Sequence, residues 1–128
     1  MNILIDSSGW IEYFANSKNA DKFYAYIKDV AKKTTFTPSI VIYEVYKRLN
    51  SQLGEEVAIQ AVAYIQNYTC EIPLDADLAV IAAEISSQEK LAMADSIIAA
   101  TARVHDAQII TGDSDLRNIP NAVFISKT

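Results

Sequence analysis

A chain of 128 residues, of which 51% are hydrophobic, is the length of one domain and carries enough apolar surface for a core, which excludes a disordered segment. It has 11 Lys and Arg against 16 Asp and Glu, a net charge of −5, and this excludes broad, sequence-independent wrapping of nucleic acid while leaving room for a site where cations offset clustered acids. A single cysteine, Cys70, excludes an internal disulfide, and with the single His105 it leaves too few ligands for a zinc centre of usual composition. No apolar run is long enough to span a bilayer, and Met1-Asn2-Ile3 opens directly in a strand pattern without a basic or apolar leader. The expected compartment is the cytoplasm, with Cys70 a buried, inert thiol.

In chain order, residues 2–5 (N-I-L-I) read as a buried strand ended by Asp6-Ser7-Ser8. A short helix is predicted from Gly9 to Ala15, with Trp10, Ile11 and Phe14 on one side, and a second from about Asp21 to Lys33, with Phe23, Ile27 and Val30 on one face. Thr35 to Thr37 is a short strand. Ser39, after Pro38, is a candidate N-cap for a third helix that runs to Leu53 on a stripe of Ile42, Val45, Leu49 and Leu53 and is broken by Gly54. A fourth helix spans Glu55 to Asn67, burying Ala58, Val62 and Ile65. The strand Thr69 to Leu74 follows, then a fifth helix from Asp75 with the stripe Leu78, Ile81, Ala82 and Ile85. Asp75 and Asp77 suit the positive end of that helix. A sixth helix, Met93 to His105, leads into the strand Gln108 to Thr111, and Pro120 precedes a last strand, Ala122 to Ile125. Strands alternating with helices predict an α/β fold with a central, mostly parallel sheet of four to five strands. No repeat, linker or low-complexity tract divides the chain, so residues 1–128 form a single domain.

Five acids stand at the ends of apolar elements or beside them: Asp6 after the first strand, Glu44 on the third helix, Asp95 near the start of the sixth, and Asp113 and Asp115 after the next strand. Each has an ordinary structural role open to it. Asp6 can cap the helix that follows, and Glu44 can pair with Arg48 one turn on. Asp95 can cap the sixth helix, and Asp113-Ser114-Asp115 can form an Asx turn. Their common position argues for more. In open parallel sheets, sites form outside the carboxyl ends of the strands, and Asp6 and Asp113 both lie there. Two carboxylates about 4 Å apart repel by roughly 1 to 4 kcal/mol, so several in one crevice need a cation. Carboxylate oxygens are hard ligands that suit Mg²⁺ or Mn²⁺. Such a centre can activate water and stabilise the departing oxygen of a phosphodiester.

The runs I-L-I-D-S-S-G-W-I-E-Y-F, A-D-S-I-I-A-A-T-A and I-I-T-G-D-S-D-L, in that order and with the helix around Glu44 between the first two, resemble the PIN domain. The short single-domain form resembles the VapC toxins of bacterial and archaeal toxin–antitoxin pairs. The resemblance covers the whole chain and implies a three-layer α/β/α fold and a metal-dependent endoribonuclease. It carries the metal ligands onto Asp6, Glu44, Asp95 and Asp113, with Asp115 matching a further acid of the family and Ser7 a small hydroxyl residue. It also implies an antitoxin partner and a homodimer. Gly9 stands where the family often has an apolar residue.

On this reading Asp6, Asp95 and Asp113 bind Mg²⁺ or Mn²⁺, Glu44 orients or deprotonates the attacking water, and Asp115 completes the site or holds a second metal. Ser7 and Thr111 are candidates to fix carboxylates by hydrogen bonds. The products would be a 5′-phosphate and a 3′-hydroxyl. His105, alone at a helix end, has no catalytic role, which excludes a paired-histidine ribonuclease. A haloacid-dehalogenase-type phosphatase needs an acid where Ser8 stands, and a receiver domain needs an acid and a lysine that are not placed here. The alternative from another class is a catalytically silent PIN-like module that binds RNA or a protein. Tyr43, Tyr46, Lys47 and Arg48 flank Glu44 and can meet bases or phosphates, or form a half-buried helix face or dimer contact. Lys90 and Arg117 are the other cations near the acids in sequence.

Overall fold

A computed structural model describes residues 1–126 of the chain. Its elements run β1 (Asn2–Ile5), α1 (Ser7–Phe14), α2 (Ala20–Ile27), β2 (Phe36–Pro38), α3 (Ser39–Leu53), α4 (Glu55–Tyr68), β3 (Cys70–Ile72), α5 (Ala76–Glu89), α6 (Met93–Val104), β4 (Ala107–Thr111), a 3-10 turn (Ser114–Leu116) and β5 (Ala122–Phe124). All strand pairs are parallel: β1 with β4, β4 with β5, and β2 with β3. The two ladders meet where Ile3 bridges Thr35 and its N–H donates to the Thr34 carbonyl at 2.8 Å. The spatial order is therefore β3-β2-β1-β4-β5.

Successive residues of a strand face opposite sides of a sheet. Leu4 and Ile5 of β1, and Ile109 and Ile110 of β4, are all fully buried, so helices cover both faces. The result is the expected three-layer α/β/α arrangement. The main core gathers Trp10, Phe23, Val45, Leu49, Ile65 and Ile98 around these strands, and a smaller cluster of Leu78, Ala82, Ile85 and Ile97 joins α5 to α6. The chain leaves β1 toward β2 on one side and leaves β4 toward β5 on the other. The connections thus diverge between β1 and β4, and beyond the carboxyl ends of those strands this leaves the crevice in which such sheets bind ligands.

Several boundaries and stripes differ from expectation. Helix α1 starts two residues early because Asp6 caps it, accepting from the Gly9 N–H. Helix α2 ends at Ile27, not Lys33; a turn follows, with Val30 still packed on the core. Ser39 is not the cap of α3 but its first residue, and its hydroxyl donates to Glu71 and Ile72 in β3 instead. The stripe of α3 is Val41, Val45 and Leu49, with Ile42 at its edge and Leu53 48% exposed. In α4 Ala61, rather than Val62, joins Ala58 and Ile65 in the core. Cys70 is half-buried at the start of β3, not sealed in an apolar strand. No helix among the described residues is long and apolar enough to cross a membrane.

Candidate metal centre

The crevice at the ends of β1 and β4 is built around Asp6. This residue follows β1 directly, is only 2% exposed, and accepts hydrogen bonds on both carboxylate oxygens. Oδ1 accepts from the Ser8 hydroxyl and, at 3.3 Å, from the Gly9 N–H, while Oδ2 accepts from Thr111 Oγ1 at 2.7 Å. The two hydroxyls also accept from the loop after β4: Ser8 Oγ from the Gly112 N–H at 2.9 Å and Thr111 Oγ1 from the Asp113 N–H at 2.9 Å. Two bridges of one hydroxyl each therefore bind the end of β1 to the end of β4 through Asp6. A carboxylate offers about four lone-pair sites, so Oδ2 keeps one for a further partner.

On the other side of Asp113, α6 delivers Asp95. It is the third residue of the helix and not its cap, which is Ala92 without a side-chain hydrogen bond. The positive end of α6 still favours an acid there. One carboxylate oxygen from each of Asp95, Asp113 and Asp115 lies within 4.8 Å of the others. Asp113 Oδ1 also accepts from the Asp115 N–H at 2.9 Å, so the Asx turn exists and itself holds two of the acids together. Asp6 and Glu44 lie outside this triad. They meet Asp113 instead along a cavity of about 450 Å³, whose wall also includes Ser7, Ser8 and Arg48. Asp113 is common to both groups.

Glu44 does not pair with Arg48. Its Oε1 accepts from Ser7 Oγ at 2.9 Å, and among the described residues Arg48 has no ion-pair partner. Ser7 and Ser8 thus divide the work at the start of α1, one positioning Glu44 and the other Asp6. Ser8 carries no sign of this in the sequence, since only the fold brings Gly112 and Asp6 to its hydroxyl.

The charges act on one another. Burial raises the Asp6 carboxyl from 3.8 to about 6 against three opposing hydrogen bonds, and the charge of Asp113 adds to the rise. Burial also raises Asp95 from 3.8 to about 7, joined by repulsion from Asp113, Asp6, Asp115 and Glu44, in that order. Asp95 therefore senses all four other acids. A group of carboxylates in which the charge of the others helps to raise Asp6 and Asp95, with no histidine or cysteine among them, fits a hard divalent cation.

Fold and acids together define a doubly wound domain with a carboxylate-only candidate metal centre at its switch point. The chain belongs to the PIN domain family, whose model matches residues 3–122. The same fold occurs in a toxin–antitoxin complex from Klebsiella pneumoniae, 24% identical, with a TM-score of 0.76 over 95% of this chain and 96% of that one. It occurs in Mycobacterium tuberculosis VapC20, a sarcin–ricin-loop-cleaving toxin, 21% identical, with a TM-score of 0.74 over 94% of this chain and 98% of that one. Neisseria gonorrhoeae FitAcB shares it too, 22% identical, with a TM-score of 0.71 over 96% of each chain. No curated protein sequence matches the chain.

Proposed function

We propose that this protein is a Mg²⁺- or Mn²⁺-dependent endoribonuclease, the toxin of a VapBC-type pair. The observation that carries the reading is that Asp113 belongs at once to a triad with Asp95 and Asp115 and to a cavity wall shared with Asp6 and Glu44. Asp6, Asp95 and Asp113 would hold the cation with Asp115, which stands close enough to Asp95 and Asp113 to share it. Bound there, the cation supplies positive charge to a phosphodiester and acidity to water. Glu44, steadied by Ser7, orients the attacking water and takes its proton. Its Oε2 has no partner among the described residues and is free for that task. Ser8 and Thr111 fix the Asp6 carboxylate, and its remaining lone pair would be left to hold the cation.

An antitoxin partner and a homodimer follow from the same reading. Tyr24 on α2 and Tyr68 on α4 are exposed ends of an aromatic series through Tyr13, Phe14 and Tyr64, a surface suited to a protein partner. Leu74, Val80 and Met93 are exposed on and beside α5 and α6 and offer a surface for a second copy. A cellular RNA substrate places the protein in the cytoplasm. Co-purification with a small basic-tailed protein tests the first partner and light scattering the second.

The deciding experiment is cleavage of a structured RNA pool with Mn²⁺, Mg²⁺ or EDTA, beside Asp95→Asn. The expected result is metal-dependent cleavage, lost in the variant, leaving 5′-phosphate and 3′-hydroxyl ends. Cleavage that persists in EDTA, or ends in a 2′,3′-cyclic phosphate, would overturn the mechanism. Absence of both cleavage and metal binding would favour the silent module.

A further inference from the structure

Helix α3 presents two adjacent rows beside the acids. Glu44 and Arg48 are one turn apart, and Tyr43, Lys47 and Ser51 form the neighbouring row at the same spacing. A second cavity, of about 340 Å³, is lined by both rows together with Ser7 and Ile11. It shares Ser7, Ile11, Glu44 and Arg48 with the acid-lined cavity, so the two adjoin as a channel in two parts. Tyr43 is 55% exposed on this channel, a large aromatic left uncovered by the fold. Lys47 Nζ lies 5.6 Å from the Tyr43 ring centroid, within cation–π range, which steadies the ring and sets an ammonium beside it. Arg48 has no ion-pair partner among the described residues although Glu44 is one turn away. Lys90 and Arg117 line neither cavity, and Arg117 lies over the Phe124 ring instead.

We infer that Tyr43, Lys47 and Arg48 form a subsite for single-stranded RNA: Tyr43 stacks one unpaired base next to the scissile phosphate, and Arg48 and Lys47 hold the adjoining phosphates. The inference rests on the proposed nuclease reading and deepens it by naming what grips the substrate. Its basis is charge complementarity. Five acids repel a polyanion, and the cations that line the channel leading away from them are those two on α3. Base stacking on an exposed aromatic beside a cationic track is how single strands are held without a duplex. The chain's acidic balance fits a short grip of this kind and not a long one.

The test uses the purified full chain, Mn²⁺ and a fluorescein-labelled pool of random 12-nucleotide single-stranded RNAs, read by anisotropy and by sequencing of the cut ends. The wild type is expected to show a base preference at one position flanking the cut. Tyr43→Ala is expected to flatten that preference and weaken binding about tenfold, while Tyr43→Trp restores both. Lys47→Ala and Arg48→Ala each lower the salt slope of binding by about 0.7. Because Tyr43 is exposed, unchanged melting temperatures will show that these variants fold. Cleavage with binding and preference indifferent to Tyr43 overturns the subsite and leaves the nuclease standing. Binding that depends on Tyr43 without any cleavage keeps the subsite and overturns the nuclease. No RNA binding by the wild type overturns both. A loss of mass in solution on Tyr43→Ala, with RNA binding unchanged, assigns the ring to an interface between copies and also overturns the subsite.

Discussion

Hydroxyl groups decide where the acids of this site can point. Thr111 Oγ1 donates to Asp6 and accepts from the Asp113 N–H, so one atom fixes two proposed ligands. Thr111→Val keeps the shape and removes both bonds. Titration calorimetry should show Mn²⁺ affinity falling about 10- to 100-fold, the size of effect seen when partners of metal ligands are removed. Ser7→Ala should act differently, because Ser7 holds Glu44 and not Asp6. Mn²⁺ affinity should stay unchanged while the cleavage rate falls about tenfold. Equal losses of affinity in both variants would show that Glu44 binds the cation directly. Proximity of charge gives a second handle at this scale. Protons compete with a cation at Asp6 and Asp95, whose pKa values lie at about 6 and about 7. Mn²⁺ affinity measured between pH 8 and pH 5 should drop steeply below pH 7, whereas a site of ordinary carboxylates would hold its affinity to about pH 5.

Helix α1 shows how an element is fitted to the site it serves. A Cβ on Gly9 would come within 2.7 Å of Phe23 Cδ1 and 2.8 Å of Ile5 Cγ2. The Phe23 ring from α2 therefore occupies the space that an apolar side chain at position 9 would need, which explains why glycine stands there. Gly9→Ala must push α1 off β1 or α2 off α1, and overpacking of this kind costs about 1–3 kcal/mol. Chemical denaturation should show that loss, and since Asp6 caps α1 through Gly9, metal affinity should fall with it. Elements of this fold were legible where composition forced them. β1 and β4 each carry consecutive apolar residues, Leu4-Ile5 and Ile109-Ile110, as strands covered on both faces do, and the acids after them then share an edge. Apart from Leu53, which is exposed at the end of α3, the helix stripes were legible to within one residue. Val41 and Ile42, or Ala61 and Val62, are apolar neighbours, so periodicity cannot choose between them and packing does. The placement of Asp115 beside Asp95 depends on a 3-10 turn, and the role of Ser8 on a contact across 104 positions, neither of which leaves a local pattern. Cys70 read as buried because its strand is apolar, yet β3 is the sheet's edge and half-exposes it.

The whole molecule bears the cost of keeping these acids together without a cation. An acid whose folded-state pKa lies above its ordinary value binds more protons in the folded chain than in the unfolded one. Stability then declines as pH rises through the interval between the two values, here from 3.8 to about 6 for Asp6 and to about 7 for Asp95. Metal-free protein in EDTA should accordingly lose stability between pH 4 and pH 7.5 from these groups. Asp95→Asn isolates one contribution, because no hydrogen bond within the described residues is lost with the carboxylate. Discounted for its contact with solvent, the relief at pH 7.5 is on the order of 1 kcal/mol, or ~3–6 °C in melting temperature, and it should vanish by pH 4. Millimolar Mn²⁺ should reverse the order of the two proteins at pH 7.5, since a cation that binds only the folded state stabilises it by mass action and the variant binds less. Melting curves that run parallel across pH, with and without Mn²⁺, would mean that Asp95 ionises as freely as a surface acid, and the acids would then stand near one another without acting as one centre.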